Sequence, residues 1–380
     1  MKKCKILVLL ALFAYAMPNS AQTKFKTAEN FQSYLPDSLT KQIISSLDNL
    51  LASIENGKLD TTLIDHENFD FNRNFFPNLK DIEGKDTIKN YFQGQLINLY
   101  PVENKQYSIT VAYMNNNEIG RIFNFLAKEE NDKIVLSSPI KYNTKHWKTT
   151  TIGTITCFYP DTIDLIRAEK FNQKNIAMAQ KLNLPLRDWE IYMCKNYQEA
   201  LQIQGCLYEY SRNGYINSGD IADPKTLFSV MNDEDFSHDI LHIYALEVRG
   251  KIRNVAAEEG IAYLWGNAYH AGNMGKSPEQ DELVNALRKY IQSHSGVKLL
   301  DLFDKNPNIL AEYGYPKPIS VKSTISGIIC AEIEKQKGAD GIIELMKCGR
   351  GDENYFKSIE KITGINRENF NDKVYRLLFQ

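Results

Sequence analysis

Two histidines and two neighbouring glutamates carry the clearest chemistry in this 380-residue chain. His238 and His242 lie four positions apart in Phe236-Ser237-His238-Asp239-Ile240-Leu241-His242-Ile243-Tyr244-Ala245-Leu246. On a helix four residues span roughly 400° of rotation, so both imidazoles leave one face and can share one metal ion. Asp239 stands beside them. A short basic turn, Arg249-Gly250-Lys251-Ile252-Arg253, leads to a second helix near Asn254 that carries Glu258-Glu259-Gly260-Ile261-Ala262-Tyr263. A carboxylate from this antiparallel helix would complete a His₂Glu set, the three-ligand catalytic arrangement that keeps one position for water. Helical periodicity does not separate Glu258 from Glu259, because both neighbour apolar positions. The plainer reading of the histidine pair is two surface side chains, and the glutamate helix is what argues against it.

The elements that must position this group can be read from hydrophobic spacing. Asn232-Asp233-Glu234-Asp235 is an acidic, cap-rich opening for the histidine helix. Upstream, a strand over Thr151–Tyr159, a long helix over Thr162–Leu182 and a strand over Trp189–Cys194 mark the start of an α/β unit, with short strands at Cys206–Tyr210 and Gly214–Ser218. Downstream, helices are predicted over Ser326–Lys335, Gly338–Lys347, Asn354–Thr363 and Asn369–Leu378. Before residue 148 the pattern differs. Asp37 and Ser38 offer an N-cap to an amphipathic helix with Leu39, Ile43, Leu47, Leu50, Leu51 and Ile54 on one face, ending near Gly57. From there to about Tyr100 the pattern is irregular. Tyr107–Tyr113 alternates like a half-buried strand, with Ile119–Leu126 and Ile134–Ser137 as its neighbours, which suggests a sheet curved around the helix.

In these two stretches the chain resembles the gluzincin metallopeptidases, the peptidase MA-like group related to thermolysin and the aminopeptidases. Their pattern is H-E-x-x-H on one helix and, about twenty residues later, a glutamate in an E-G-x-A-x-Y-like stretch. Here His238–His242 reads H-D-I-L-H and Glu259–Tyr263 reads E-G-I-A-Y, 17 positions after the second histidine. The resemblance covers roughly residues 150 to 380 and implies His238, His242 and Glu259 as Zn²⁺ ligands, its E-G match favouring Glu259 over Glu258. Tyr263 would lie on the ligand face, packed or supporting a ligand. The resemblance also implies a general base after the first histidine and an oxyanion donor beyond the ligands, for which His270, His294, Tyr313 and Tyr315 are candidates. It places substrate as an added strand on the sheet edge, here Gly214–Ser218. The departure is Asp239, which stands where the family has glutamate. Aspartate has the same charge but reaches ~1.5 Å less far, and a general base must come within about 2.6–3.2 Å of its proton.

The expected fold class is therefore α+β: an N-terminal small α+β accessory domain over residues 22–148, then a zincin-like metallopeptidase domain over 149–380 with a small mixed sheet and a helical C-terminal part. The expected function is an exported zinc-dependent hydrolase of peptide or protein substrates with Asp239 as base. The alternative is a catalytically degenerate binding or scaffold protein of the same fold that retains zinc. Reading His238-Asp239 as the dyad of HD-type phosphohydrolases competes, but the export leader and the E-G-I-A-Y helix argue against it.

Composition narrows the partners. Lys2, Lys3 and Lys5 precede an apolar run from Ile6 to Ala16 that is too short to span a bilayer, the pattern of a signal peptide cleaved after Ala16 or, preferably, Ala21. The product would be periplasmic or secreted. Losing that leader removes three lysines and no acids from a chain with 45 basic and 47 acidic residues, leaving a formal charge of about −5. Basic stretches such as Lys141–Lys148 are short and mixed with Thr and Asn, which reads as a solvated face, not a nucleic-acid patch. No later segment has the ~18 apolar residues of a membrane span. Cys157, Cys194, Cys206, Cys330 and Cys348 form no CxxC pair and read as free buried thiols. The N-terminal domain carries no chemical signature, which suits a support or a contact with an unknown partner.

Overall fold

A computed structural model describes residues 25–78, 91–210, 219–223, 225–230, 233–268 and 277–380. The leader expected over residues 1–21, the strand expected at Gly214–Ser218, Asn232 and His270 lie outside the described residues. The fold is α+β, with two mixed sheets followed by a helical C-terminal part.

The first sheet is a meander with additions at both sides. Strands β2 (Gln93–Glu103), β3 (Gln106–Asn115), β4 (Glu118–Glu130) and β5 (Lys133–Ser137) pair antiparallel in sequence order, and the two-residue β1 (Lys26–Thr27) lies parallel to β2. Helix α1 (Asp37–Glu55) covers this sheet with Ile43, Leu47, Leu50, Leu51 and Ile54 buried, the face that its spacing predicts. The stretch expected to be irregular holds instead α2 (Phe69–Asn78) and β2. In β2 the register shifts between Leu96 and Asn98, so Leu96 and Leu99 are both buried although three residues apart. That bulge breaks the period of two on which recognition of a strand depends. Strand β3, expected half-buried, is buried along both faces, one of them lined by Ser108 and Thr110, which Asn124 of β4 bridges through its amide.

A short helix α3 (Ile140–Asn143) leads to the second sheet. The single strand expected over Thr151–Tyr159 is a hairpin of β6 (Lys148–Ile152) and β7 (Ile155–Tyr159), closed at Gly153 with φ +56°. Gly153 is the sole glycine signal in a Thr- and Ile-rich run, too weak to read as a turn. Helix α4 (Leu165–Leu182) crosses from β7 to the parallel β8 (Trp189–Met193). It starts at Leu165, later than expected, because the Asp164 carboxylate accepts from Ile166 N and Arg167 N. Helix α5 (Tyr197–Gln204) then returns the chain to the first sheet, where β9 (Cys206–Glu209) pairs antiparallel with β4 beside the place β5 occupies. Tyr192, Cys194, Tyr197, Leu201, Ile203 and Cys206 are buried in the first core. The antiparallel β10 (Gly219–Asp223) and the parallel β11 (Thr226–Ser229) complete the second sheet in the order β10-β11-β8-β7-β6.

The helical part comprises α6 (Ser237–Arg249), α7 (Val255–Trp265), α8 (Gln280–Ser293), α9 (Leu299–Lys305), α10 (Val321–Met346), α11 (Asp352–Thr363) and α12 (Phe370–Leu378). The two helices expected either side of residue 337 form one run, α10, broken at Gly338 where φ is +64°. No helix among the described residues is long and apolar enough to cross a membrane. The five cysteines remain thiols, four of them buried and Cys348 half-buried.

Candidate metal centre

The acidic run before α6 caps the helix through Asp235 alone, whose carboxylate takes the first helical N–H, and its other contacts bolt the helix onto its neighbours. Asp233, Glu234 and Asp235 are all buried. Glu234 Oε1 accepts from Asp164 N at 2.8 Å, which joins the start of α6 to the start of α4. Asp235 Oδ1 accepts from Ser237 N, and its Oδ2 lies 2.8 Å from Lys174 Nζ. The same ammonium donates to Gly266 O at 2.7 Å and reaches both Glu279 oxygens at 3.1 Å, gathering α4, α6, the end of α7 and α8 on one charge. Burial raises the Asp233 and Glu234 carboxyls above the ordinary carboxylate range.

From that fixed origin α6 presents its two histidines on one face. The two Nε2 atoms face each other at 3.1 Å. Each ring's other nitrogen points at an acceptor: His238 Nδ1 lies 2.9 Å from Asn267 O and His242 Nδ1 lies 2.8 Å from Glu258 Oε1. An acceptor at Nδ1 fixes the proton there in the neutral ring and leaves Nε2 as a lone pair. Two lone pairs 3.1 Å apart repel unless a cation lies between them. Two nitrogens on one tetrahedral ion at bonds of about 2.0–2.1 Å would be ~3.3 Å apart, close to what is seen. Burial, with His242 beside it, pushes His238 down to about 4, so its ring is neutral and able to ligate at neutral pH.

Helix α7 brings the third donor, and it separates the two glutamates that helical periodicity left open, turning toward the histidines the one that the E-G match favours. Glu259 Oε2 is 3.5 Å from His238 Nε2 and Oε1 is 3.5 Å from His242 Nε2. The ligand atoms of His238, His242 and Glu259 all lie within 4.8 Å of one another, a group that could hold a metal ion. Glu258 faces the opposite edge of the His242 ring, 1% exposed, and is clamped by Arg249. Burial alone would raise the Glu258 carboxyl, but the hydrogen bonds from His242 and Arg249 outweigh it and hold the group below its ordinary value. The basic turn, predicted only as a connector, thus supplies working side chains. Arg253 Nη2 donates to Glu259 Oε1 at 2.5 Å, and its Nε lies 2.8 Å from Glu258 Oε1. Its 3.4 Å approach to His242 Nδ1 is too long to displace the carboxylate there.

The glycine of the E-G pair has a packing reason. A Cβ on Gly260 would meet Ser326 Oγ at 2.4 Å and the Ser326 backbone at 2.8 Å, so α7 and α10 cross closely only because residue 260 has no side chain. Ser326 Oγ donates to Ala256 O at 2.7 Å across the same contact.

Asp239 is half-buried, and burial, reinforced by Glu259 against the pull of His242, pushes its carboxyl up to about 6. Tyr263 is a packed aromatic: its ring meets His238 edge-on at 5.9 Å and its hydroxyl accepts from Ser320 N at 3.1 Å. No family model matches the chain, and no curated protein matches it. A cleft of about 880 Å³ opens beside the ligands, lined by His238, Arg253, Glu259, Tyr263, Lys322 and Arg350 among others. The described candidates for an oxyanion donor do not line it. His294 sits at the exposed end of α8, stacked on Tyr290, while Tyr313 and Tyr315 pack against the core.

Proposed function

We propose that the protein is an exported zinc-dependent hydrolase of peptide bonds, of the gluzincin kind, with His238, His242 and Glu259 as ligands and Asp239 as general base. The observation that carries this reading is the orientation of the two histidines: both Nδ1 atoms are bound to acceptors, so both Nε2 lone pairs converge with a glutamate. Imidazole and carboxylate donors in a set of three suit zinc, whose Lewis acidity serves hydrolysis when the ion is bound. Within that frame Glu258 and Asn267 O orient the rings, and Arg253 steadies Glu259 from the side of the cleft. Asp239 would take the proton of the attacking water, its raised pKa bringing it nearer to neutrality, where a base is most effective.

The first test is elemental analysis of protein purified without chelators, beside a His242→Ala control. About one zinc per chain, lost in the control, is the expected result; no metal in either, even after zinc is offered, would overturn the ligand assignment. One observation favours a second reading, a degenerate member of the same fold that binds peptide without cutting it: Asp239 is a methylene shorter than the glutamate such a base requires. A misplacement on the order of 1 Å can cost about a hundredfold in rate. In a chain that cleaves peptides poorly or not at all, Asp239→Glu tells the causes apart, since a large gain in cleavage marks an impaired base and no gain marks a lost substrate groove.

A further inference from the structure

The cleft beside the ligand group holds three cationic side chains, Arg253, Lys322 and Arg350. Two of them are committed within the chain. Arg253 is paired with Glu258 and Glu259, and Lys322 Nζ lies 2.7 and 2.9 Å from the two Asp352 oxygens. Arg350 lines the cleft, is exposed and, among the described residues, forms no salt bridge.

The segment that carries Arg350 is nonetheless held firmly. Gly349 and Gly351, on either side, have φ of +89° and +84°. The side-chain amide of Asn254 donates to both Gly349 O at 2.6 Å and Gly351 O at 2.9 Å, while Asn354 donates to Arg350 O at 2.8 Å. All three carbonyls of Gly349-Arg350-Gly351 are thereby bound by side-chain amides. Asn254 is 2% exposed and is also the N-cap of α7, accepting from Ala257 N at 3.1 Å. One buried side chain therefore sets the position of the arginine against the helix that delivers Glu259. The backbone that carries the guanidinium is thus fixed beside the cleft, and the planar fork itself needs little further ordering to meet a carboxylate.

We infer that Arg350 is the anchor for a carboxylate of the substrate, so that the cleft selects peptides bearing an acidic side chain or a free C-terminus near the cleaved bond. The inference rests on the reading of the adjoining His₂Glu group as the reacting centre. A guanidinium meets a carboxylate through two parallel N–H···O bonds, which gives both attraction and orientation. Lys322 and Arg253, already neutralised, keep a second anion from being drawn equally well to the rest of the cleft.

The test uses the full mature chain and labelled pentapeptides in matched pairs, with binding followed by fluorescence anisotropy and peptide integrity by mass spectrometry. One pair differs only in a free against an amidated C-terminus, and the other in an internal Glu against Gln, the C-terminus being amidated in both. Roughly tenfold or greater preference for the carboxylate member of one pair is expected, and which pair shows it identifies the source of the carboxylate. In Arg350→Gln the ratio should collapse to near one, and in Arg350→Lys it should be partly kept. Equal affinity within both pairs, or a preference that survives in Arg350→Gln, would overturn the assignment. Metal content measured on the same preparations keeps the two readings apart. A carboxylate preference in a chain that takes up no metal would retain the anchor and remove the hydrolase, and metal with no preference would do the reverse.

Discussion

Glu258 Oε1 lies 2.8 Å from His242 Nδ1, so the glutamate outside the candidate metal group sets the tautomer of a histidine inside it. The neutral isostere Glu258→Gln keeps the shape but presents either end of an amide to that nitrogen. Metal affinity, measured by competition with a chromophoric chelator, should fall about 10–100-fold, the usual cost of losing an outer partner of a ligating histidine. An unchanged affinity would mean that the ring is oriented by its helix alone.

The same carboxylate gives a pH dependence whose sign is fixed. Its folded pKa lies below the ordinary value of 4.5, so it contributes stability above that value and loses it as pH falls through the folded one. The midpoint of thermal unfolding should therefore drop as pH is lowered below about 4.5, and Glu258→Gln should flatten that part of the profile relative to the parent. Parallel profiles would show that Glu258 is not among the groups responsible.

Metal should stabilise the fold as well as complete the site. A ligand that binds only the folded chain adds ~4 kcal/mol at a thousand times its dissociation constant. Treatment with a chelator should lower the unfolding midpoint, and zinc should restore it. The restoration should be absent in His238→Ala, and its persistence there would assign the effect to some other site.

Lys174 gathers Asp235, Glu279 and Gly266 O at the root of the histidine helix. Lys174→Met leaves the buried Asp235 without its cation, and removing one member of a buried pair typically costs about 3–5 kcal/mol. Denaturant unfolding should register a loss of that order, shared between the fold and the placement of His238. A change below about 1 kcal/mol would place the network at the surface in energetic terms.

Gly260→Ala forces a methyl into the Ser326 backbone where α7 crosses α10. Overpacking of this kind costs roughly 1–3 kcal/mol, and here it would push the Glu259 helix off α10 and so shift Glu259 relative to the histidines. Stability and metal affinity should fall together, whereas a stability loss with metal affinity intact would show that α7 can shift without disturbing the site.

The gathering of His238, His242 and Glu259 was legible because they lie on helices, where a spacing of four states which side chains share a face. Spacing alone did not choose between Glu258 and Glu259, where only the E-G match pointed to Glu259, since adjacent helical residues differ by one step of rotation and the deciding partners, Arg249 and the His242 ring edge, belong to another helix. The acidic run is legible only in part for a related reason: Asp235 does take the first N–H of α6, but Lys174 and Asp164 N, some sixty to seventy positions earlier, also bind Asp235 and Glu234. In the first sheet β2 stayed hidden because a bulge placed Leu96 and Leu99 on one side. Arg350 gave no signal at all, because its meaning depends on Asn254, which lies 96 positions away.

The antiparallel pairing of β9 with β4 also orders events in time. A nascent chain that has reached only residue 148 contains every other strand of the first sheet, but β4 still has an open edge at Arg121–Phe123 and the core lacks Tyr192, Tyr197, Leu201 and Cys206. That sheet closes only after Glu209 has been made, by which time β7, α4 and β8 have already been delivered. The N-terminal part is thus finished by a later segment that the second sheet has just released, so the two parts should fold and unfold as one cooperative event on the bench, with one transition where two might be drawn on paper.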